Sequence, residues 1–158
     1  MKVAVIRHGV GREATKVLSL LKDSIYKDIK SINDYDFEFF YLFREINSEN
    51  SIRNKEKNIS SKFSALPYEK VIKVQLPNSD DFLIRFKNHF KYDIHNDNFQ
   101  SYGNLLKQTY MFRKFSDQVD INQFSSFIVL RDDVIFLRLK NLKKYIYNSQ
   151  FGYVTSIW

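Results

Sequence analysis

Two stretches of this chain carry residues whose types and spacing could do chemistry. Asp132-Asp133 follows Arg131 and the apolar run Phe127-Ile128-Val129-Leu130. Arg7-His8-Gly9-Val10-Gly11-Arg12 follows the apolar run Val3-Ala4-Val5-Ile6. Paired carboxylates suit a hard divalent cation, which takes oxygen ligands and often binds one or two carboxylates together with substrate phosphates. A cation so held neutralises a diphosphate leaving group. Neighbouring side chains of an extended strand point opposite ways. Asp132 and Asp133 therefore reach one ion only where the chain turns; otherwise one binds directly and the other acts through water or orients a neighbour. The plain alternative is that Asp132 pairs with Arg131 or caps the next turn.

The first stretch supports several readings. Gly9-Val10-Gly11-Arg12-Glu13-Ala14 fits the G-x-G-x-x-A dinucleotide pattern between a strand and a helix. The acidic residue expected about 20 positions further on is out of place, because the second apolar run ends later, at Arg44-Glu45. Arg7-His8-Gly9 is similar to the signature of the histidine phosphatases, in which a histidine is phosphorylated and arginines hold the phosphate. That chemistry needs a second histidine late in the chain, and none follows His95. More generally, backbone N–H groups at a helix start favour anions, and Gly9 and Gly11 would let the main chain approach one closely. Against all of these, the two glycines would simply make a turn, with Arg12 and Glu13 in solvent.

The elements that must position these residues follow from periodicity. Val3 to Ile6 predicts a buried strand, and the loop with Gly9 and Gly11 follows it. Ala14, Val17, Leu18, Leu21, Ile25, Ile29 and Ile32 recur at helical spacing, so a helix is expected from about Arg12 to Ile32. Asn33-Asp34-Tyr35-Asp36 ends it, and Phe37 to Phe43 predicts a second strand. Residues 44–66 are polar and read as a mobile loop. Val71 to Leu76 predicts a third strand, and Phe82, Leu83, Phe86 and Phe90 a short helix capped by Ser79. After a polar interruption from His89 to Gln100, Asn104 to Val119 is helical by pattern. Phe127 to Leu130 reads as a strand buried on both faces. Leu139 to Tyr147 predicts a further helix and Phe151 to Trp158 a last strand. Strands and helices alternate without hairpin signals or repeats. The expected class is α/β, with a mostly parallel central sheet, helices on both faces and a Rossmann-like arrangement. Ligands of such sheets bind beyond the carboxyl ends of the strands, where residues 7–12 and 131–134 both fall.

Composition narrows the function classes. The chain has 158 residues, the length of one domain. Hydrophobic residues make up 44% and aromatics 16%, which excludes a disordered chain. There is no cysteine, so disulfides, thiolate zinc sites and thiol nucleophiles are excluded. The net charge of +7 is spread evenly, with 14 basic and 10 acidic residues in positions 1–79 and 11 and 8 in the rest. A nucleic-acid binder would gather that charge on one element, so no nucleic-acid partner is expected. His89 and His95 have no third ligand spaced near them, which argues against zinc. The apolar run before Arg7 is only four residues long, too short for a signal core, and no run approaches a membrane span. A cytoplasmic protein with no transmembrane segment is the expectation.

With these elements in order, the chain resembles GT-A-type glycosyltransferases, above all the small sugar transferases of bacterial surface-polysaccharide clusters and large DNA viruses. The resemblance rests on the buried strand, Arg131-Asp132-Asp133, Val134-Ile135-Phe136, and the Leu-rich stretch Leu139-Lys140-Asn141-Leu142. The N-terminal strand and its Gly/Arg turn, the Phe-rich second strand, and Asn104-Leu105-Leu106-Lys107-Gln108 belong to the same likeness. The family motif is Asp-x-Asp, sometimes Arg-x-Asp; here Leu130 stands where a first Asp could. The resemblance implies transfer of a sugar from a nucleotide diphosphate donor to a hydroxyl of a glycan or other acceptor. Asp133, with Asp132 beside it, would hold Mn²⁺ or Mg²⁺ on the diphosphate. Arg7, His8, Gly9, Gly11 and Arg12 would lie along the nucleotide, and Arg131 belongs to the acidic motif. Lys107 or Arg113 would face the diphosphate or sugar. The likeness names no catalytic base, stereochemical outcome or oligomeric state. The family usually continues past this strand, so residues 1–158 read as a single nucleotide-sugar-binding domain that is a fragment, a minimal form or a degenerate relative. The rival readings are the histidine phosphohydrolase and a non-catalytic interaction domain.

Overall fold

The computed structural model describes residues 1–9, 26–45, 65–76, 92–94 and 96–131. Strand β1 spans Lys2–Gly9 and is buried from Val3 to His8. Helix α1 covers Tyr26–Lys30, the tail of the helix predicted to end at Ile32. Strand β2, Asp36–Glu45, takes up the aromatic run Phe37 to Phe43. Strand β3, Lys70–Gln75, buries Ile72 and Val74 and leaves their alternate neighbours exposed. Helix α2, Gln100–Gln118, begins four residues before the predicted start. A 3₁₀ turn at Ile121–Gln123 leads into β4, Ser126–Arg131.

The four strands form one parallel sheet in the order β3-β2-β1-β4. From β1 the chain moves outward on one side through β2 and β3, then returns to the other side of β1 for β4. This is the order of the nucleotide-binding α/β folds, whose ligand crevice opens where the strand order reverses. Alternation along β1 feeds both faces of the sheet. Val3 and Val5 join Tyr26, Ile29, Phe39, Leu66 and Leu130 on the α1 face. Ala4 and Ile6 join Phe40, Leu42, Ile72, Val74, Met111 and Phe115 on the α2 face. Helices thus cover both faces, as expected for the class.

Two expectations are corrected. Arg7 and His8 are not loop residues: β1 continues through them to Gly9, whose φ of 155° is one that glycine takes without steric cost. The ladder to β2 runs on to Gly9↔Phe43, so backbone pairing carries the strand past its apolar run. Nor is β4 buried on both faces. Phe127 and Val129 are 45% and 47% exposed, because α2 packs over β2 and β3 rather than over β4. Most of the predicted 12–32 helix, the 44–66 loop, the short helix near 82–90 and the two elements after Leu139 lie outside the described residues. No helix among the described residues is long and apolar enough to cross a membrane.

Candidate functional site at the carboxyl ends of β1 and β4

The sheet brings the strand ends that lead into the two chemically suggestive stretches together. β1 and β4 are neighbours, with Arg7 opposite Leu130 and His8 opposite Arg131. Gly9 therefore ends β1 beside the residue that leads into Asp132-Asp133. Asp132, Asp133, Gly11 and Arg12 lie outside the described residues. Their anchors, Gly9 and Arg131, stand on adjacent strands at the point where the strand order reverses.

Helix α2 reaches the same end of the sheet. Phe115 stands edge-on to Phe40 with ring centroids 5.0 Å apart, and Phe40 pairs with Ile6. Phe112 stands edge-on to His8 at 5.3 Å. Moving up β1 from Ile6 to His8 thus moves backwards along α2, so the helix runs antiparallel to the strands. Its N-terminal turns lie toward their carboxyl ends. Gly103, Lys107, Met111 and Phe115 recur every four residues along one helix face; Met111 and Phe115 are buried in the core beneath it. Lys107, partly buried, stands one turn past Met111, about 6 Å further toward the strand ends. Arg113, the alternative cation, is exposed on the outer side of α2.

The turn entering α2 is tightly specified. Asn96, Asn98 and Phe99 all have positive φ, at 50°, 56° and 61°, a conformation that costs a non-glycine residue about 1 kcal/mol or more. Asp93 Oδ2 accepts a hydrogen bond from the Phe99 N–H at 3.0 Å. Asp97 Oδ2 accepts from the Ser101 N–H at 2.9 Å and from its hydroxyl at 2.6 Å. The polar interruption expected at 89–100 thus contains the carboxylate that satisfies an otherwise unpaired N–H of the first helical turn. An Asp four residues ahead of Ser101 was the available sign.

Arg7 takes a different place from the one expected along a nucleotide. Its side chain turns into the α1 face and is 1% exposed. Arg7 Nε donates to Glu69 Oε1 at 2.9 Å and Nη2 to Oε2 at 2.7 Å. The Tyr26 hydroxyl donates to Oε1 and the Leu66 N–H to Oε2, each at 2.8 Å. Each carboxylate oxygen therefore accepts two hydrogen bonds, which fills its lone pairs. The guanidinium carbon lies 3.5 Å from the Tyr41 ring centroid. Burial alone would lower the Arg7 pKa; the hydrogen bonds and charge of Glu69 outweigh it and hold the guanidinium above its ordinary value. Burial, then the Glu69 charge, push the Tyr26 phenol far above its ordinary value. Glu69 carried no sign in the sequence, where it is one acid before a short strand.

His8 points to the α2 face and is 7% exposed. Arg7 and His8 consequently sit on opposite faces of the sheet and do not converge on one phosphate. Among the described residues no three His, Cys, Asp or Glu side chains are grouped so as to hold a metal ion. The carboxylate pair directly after Arg131 in the sequence lies outside the described residues. Comparison with protein-family models, curated proteins and solved structures returned no match to this chain.

Proposed function

We propose that this chain is the donor-binding domain of a sugar transferase acting in the cytoplasm on a nucleotide diphosphate sugar and a hydroxyl acceptor. The observation that carries the reading is the strand order, which sets Gly9 of β1 beside Arg131 of β4 where the order reverses. Ligands of open α/β sheets bind at that place. The acidic motif follows from one of these strands and the glycine turn from the other.

In this reading the backbone from Gly9 to Arg12 lies along the donor nucleotide. Asp133, with Asp132 beside it, holds Mn²⁺ or Mg²⁺, and the metal's chemistry is to neutralise the leaving diphosphate. Lys107 adds positive charge from the N-terminal half of α2, and Arg131 from the end of β4. Arg7 serves the site from beneath, through the strand that carries Gly9. The phosphohydrolase reading gains no support from a histidine and an arginine on opposite faces. The interaction-domain reading draws on Phe127 and Val129, apolar and half exposed on one side of β4.

Calorimetric titration of UDP, GDP and CDP, with and without Mn²⁺, tests the proposal. One nucleotide is expected to bind in a metal-dependent way. Asp133→Ala should weaken that binding by at least about tenfold, the loss of one charged ligand contact. A folded sample that binds none of the three sinks the transferase reading and favours an interaction domain.

A further inference from the structure

The Arg7–Glu69 pair is a costly way to fill a core. Both side chains are essentially buried, at 1% and 0% exposure. Replacing a buried ion pair by apolar side chains of similar volume is often neutral or stabilising. What a bidentate pair supplies is geometry, because the guanidinium fork fixes position and orientation together. Here the fork is held from several segments at once. Glu69 grips it just before β3, and is itself held by Tyr26 of α1 and by the Leu66 N–H. Tyr41 of β2 lies against its face. The residue so clamped stands two positions before Gly9, at the end of β1 that adjoins Arg131.

We propose that Arg7 and Glu69 are positioning residues, whose buried pair fixes the end of β1 at His8 and Gly9, beside Arg131 of β4, as one wall of a site for a nucleotide diphosphate. The ligand's identity rests on the transferase reading above; the positioning of the strand end does not. Arg7 does not touch the ligand. It acts through His8 and Gly9, which continue from it into the site.

The double variant Arg7→Met/Glu69→Leu separates positioning from core filling. Three quantities are measured: the thermal midpoint, amide hydrogen exchange along β1, and nucleotide affinity in the presence of Mn²⁺. The midpoint should fall only modestly, because the ion pair goes as a whole and the remaining loss is the acceptor of the Tyr26 hydroxyl and the Leu66 N–H. Exchange at the His8 and Gly9 amides should accelerate about tenfold while Val3 to Val5 keep their protection, since local opening is separable from global unfolding. Affinity should fall about tenfold through lost preorganisation. Arg7→Lys, which keeps the charge but not the fork, should rescue neither exchange nor affinity. Wild-type exchange at His8 and Gly9 in a stable double variant overturns the proposal. Should the double variant fail to fold, Tyr26→Phe carries the test by removing one of the four hydrogen bonds to Glu69. Its expected result is a smaller acceleration confined to His8 and Gly9, and unchanged exchange overturns the inference. A wild-type protein that binds no nucleotide defeats the transferase reading, whereas the exchange measurement still decides whether the pair positions the strand end.

Discussion

On the face lined by Val3, Val5 and Arg7, the core contains a buried ion pair; on the face lined by Ala4, Ile6 and His8, it is built of rings and aliphatic side chains. The same strand supplies both, residue by alternate residue. On the α2 face, Phe40, Phe115 and Phe124 meet edge to face, with centroids 5.0 and 5.9 Å apart. Such contacts are forgiving of small shifts, because dispersion falls off gradually and has little preferred direction. On the α1 face, four hydrogen bonds converge on Glu69. They lose their strength over small changes of distance and angle. The aromatic face therefore contributes mainly burial, and the charged face contributes register. The register lies on the strand that leads to the candidate site.

The comparison breaks most sharply when one partner of the pair is removed. Glu69→Ala leaves the Arg7 guanidinium buried and uncompensated, and should cost about 4 kcal/mol in a denaturant titration. Phe115→Ala, a comparable loss on the other face, should cost about 3 kcal/mol through lost burial and a cavity. The two losses differ in kind. Adding Arg7→Met to Glu69→Ala should recover much of the first, whereas the same substitution added to Phe115→Ala should recover nothing. Equal recovery in both backgrounds would mean that the charge on Arg7 is not what Glu69→Ala exposes.

A finer probe is Tyr26→Phe, which should cost about 1 kcal/mol at neutral pH for one hydrogen bond to a charged acceptor. Its pH dependence has a defined sign. The Tyr26 phenol is raised by burial and by Glu69, so the folded state keeps a proton that the unfolded chain loses near the ordinary value of about 10. The contribution is complete below that value and declines as pH rises through it. The wild type should lose stability faster than Tyr26→Phe above about pH 10. Parallel curves there would remove the buried phenol from the network.

The smallest effect belongs to the opposite end of the sheet. Lys2 Nζ lies 2.6 Å from Glu38 Oε2, and Lys70 pairs with the other oxygen. Slight burial raises the Glu38 carboxyl, but the hydrogen bonds of Lys2 and Lys70 prevail and hold it below the ordinary range. This contribution is present above the ordinary carboxylate range and is lost as pH falls through the lowered value. Lys70 is 67% exposed, so Lys70→Ala should cost less than about 1 kcal/mol. It should also reduce the wild type's loss of stability on acidification. A cost equal to that of Glu69→Ala would erase the distinction between buried and exposed pairs on this sheet.

The fold was readable where local pattern and tertiary role coincide. The apolar runs at Val3, Phe37, Val71 and Phe127 all became strands, and the Leu105-to-Val119 spacing became α2. The start of α2 was read too late because Asn96, Asp97 and Asn98 look like plain polar sequence. β4 was read as buried on both faces because its apolar run cannot report that α2 packs elsewhere. The candidate site was half legible. Its two stretches stood out by residue type, but Arg7 was assigned to the nucleotide because an arginine beside a glycine turn has no visible partner inside the chain.

Among the described residues, sequence alone determined which segments are strands and helices, since hydrophobic period and β-branched or aromatic content act locally. It also determined that a Gly-x-Gly stretch and an acidic pair each follow an apolar strand. Only the tertiary structure decided that β4 lies against β1, which makes the strand ends leading into those two stretches neighbours. Only the tertiary structure gave Arg7 to Glu69, a partner 62 residues away. Periodicity states which face a side chain occupies. The partner it meets there depends on strand order, and strand order is settled by how all the elements bury their faces together.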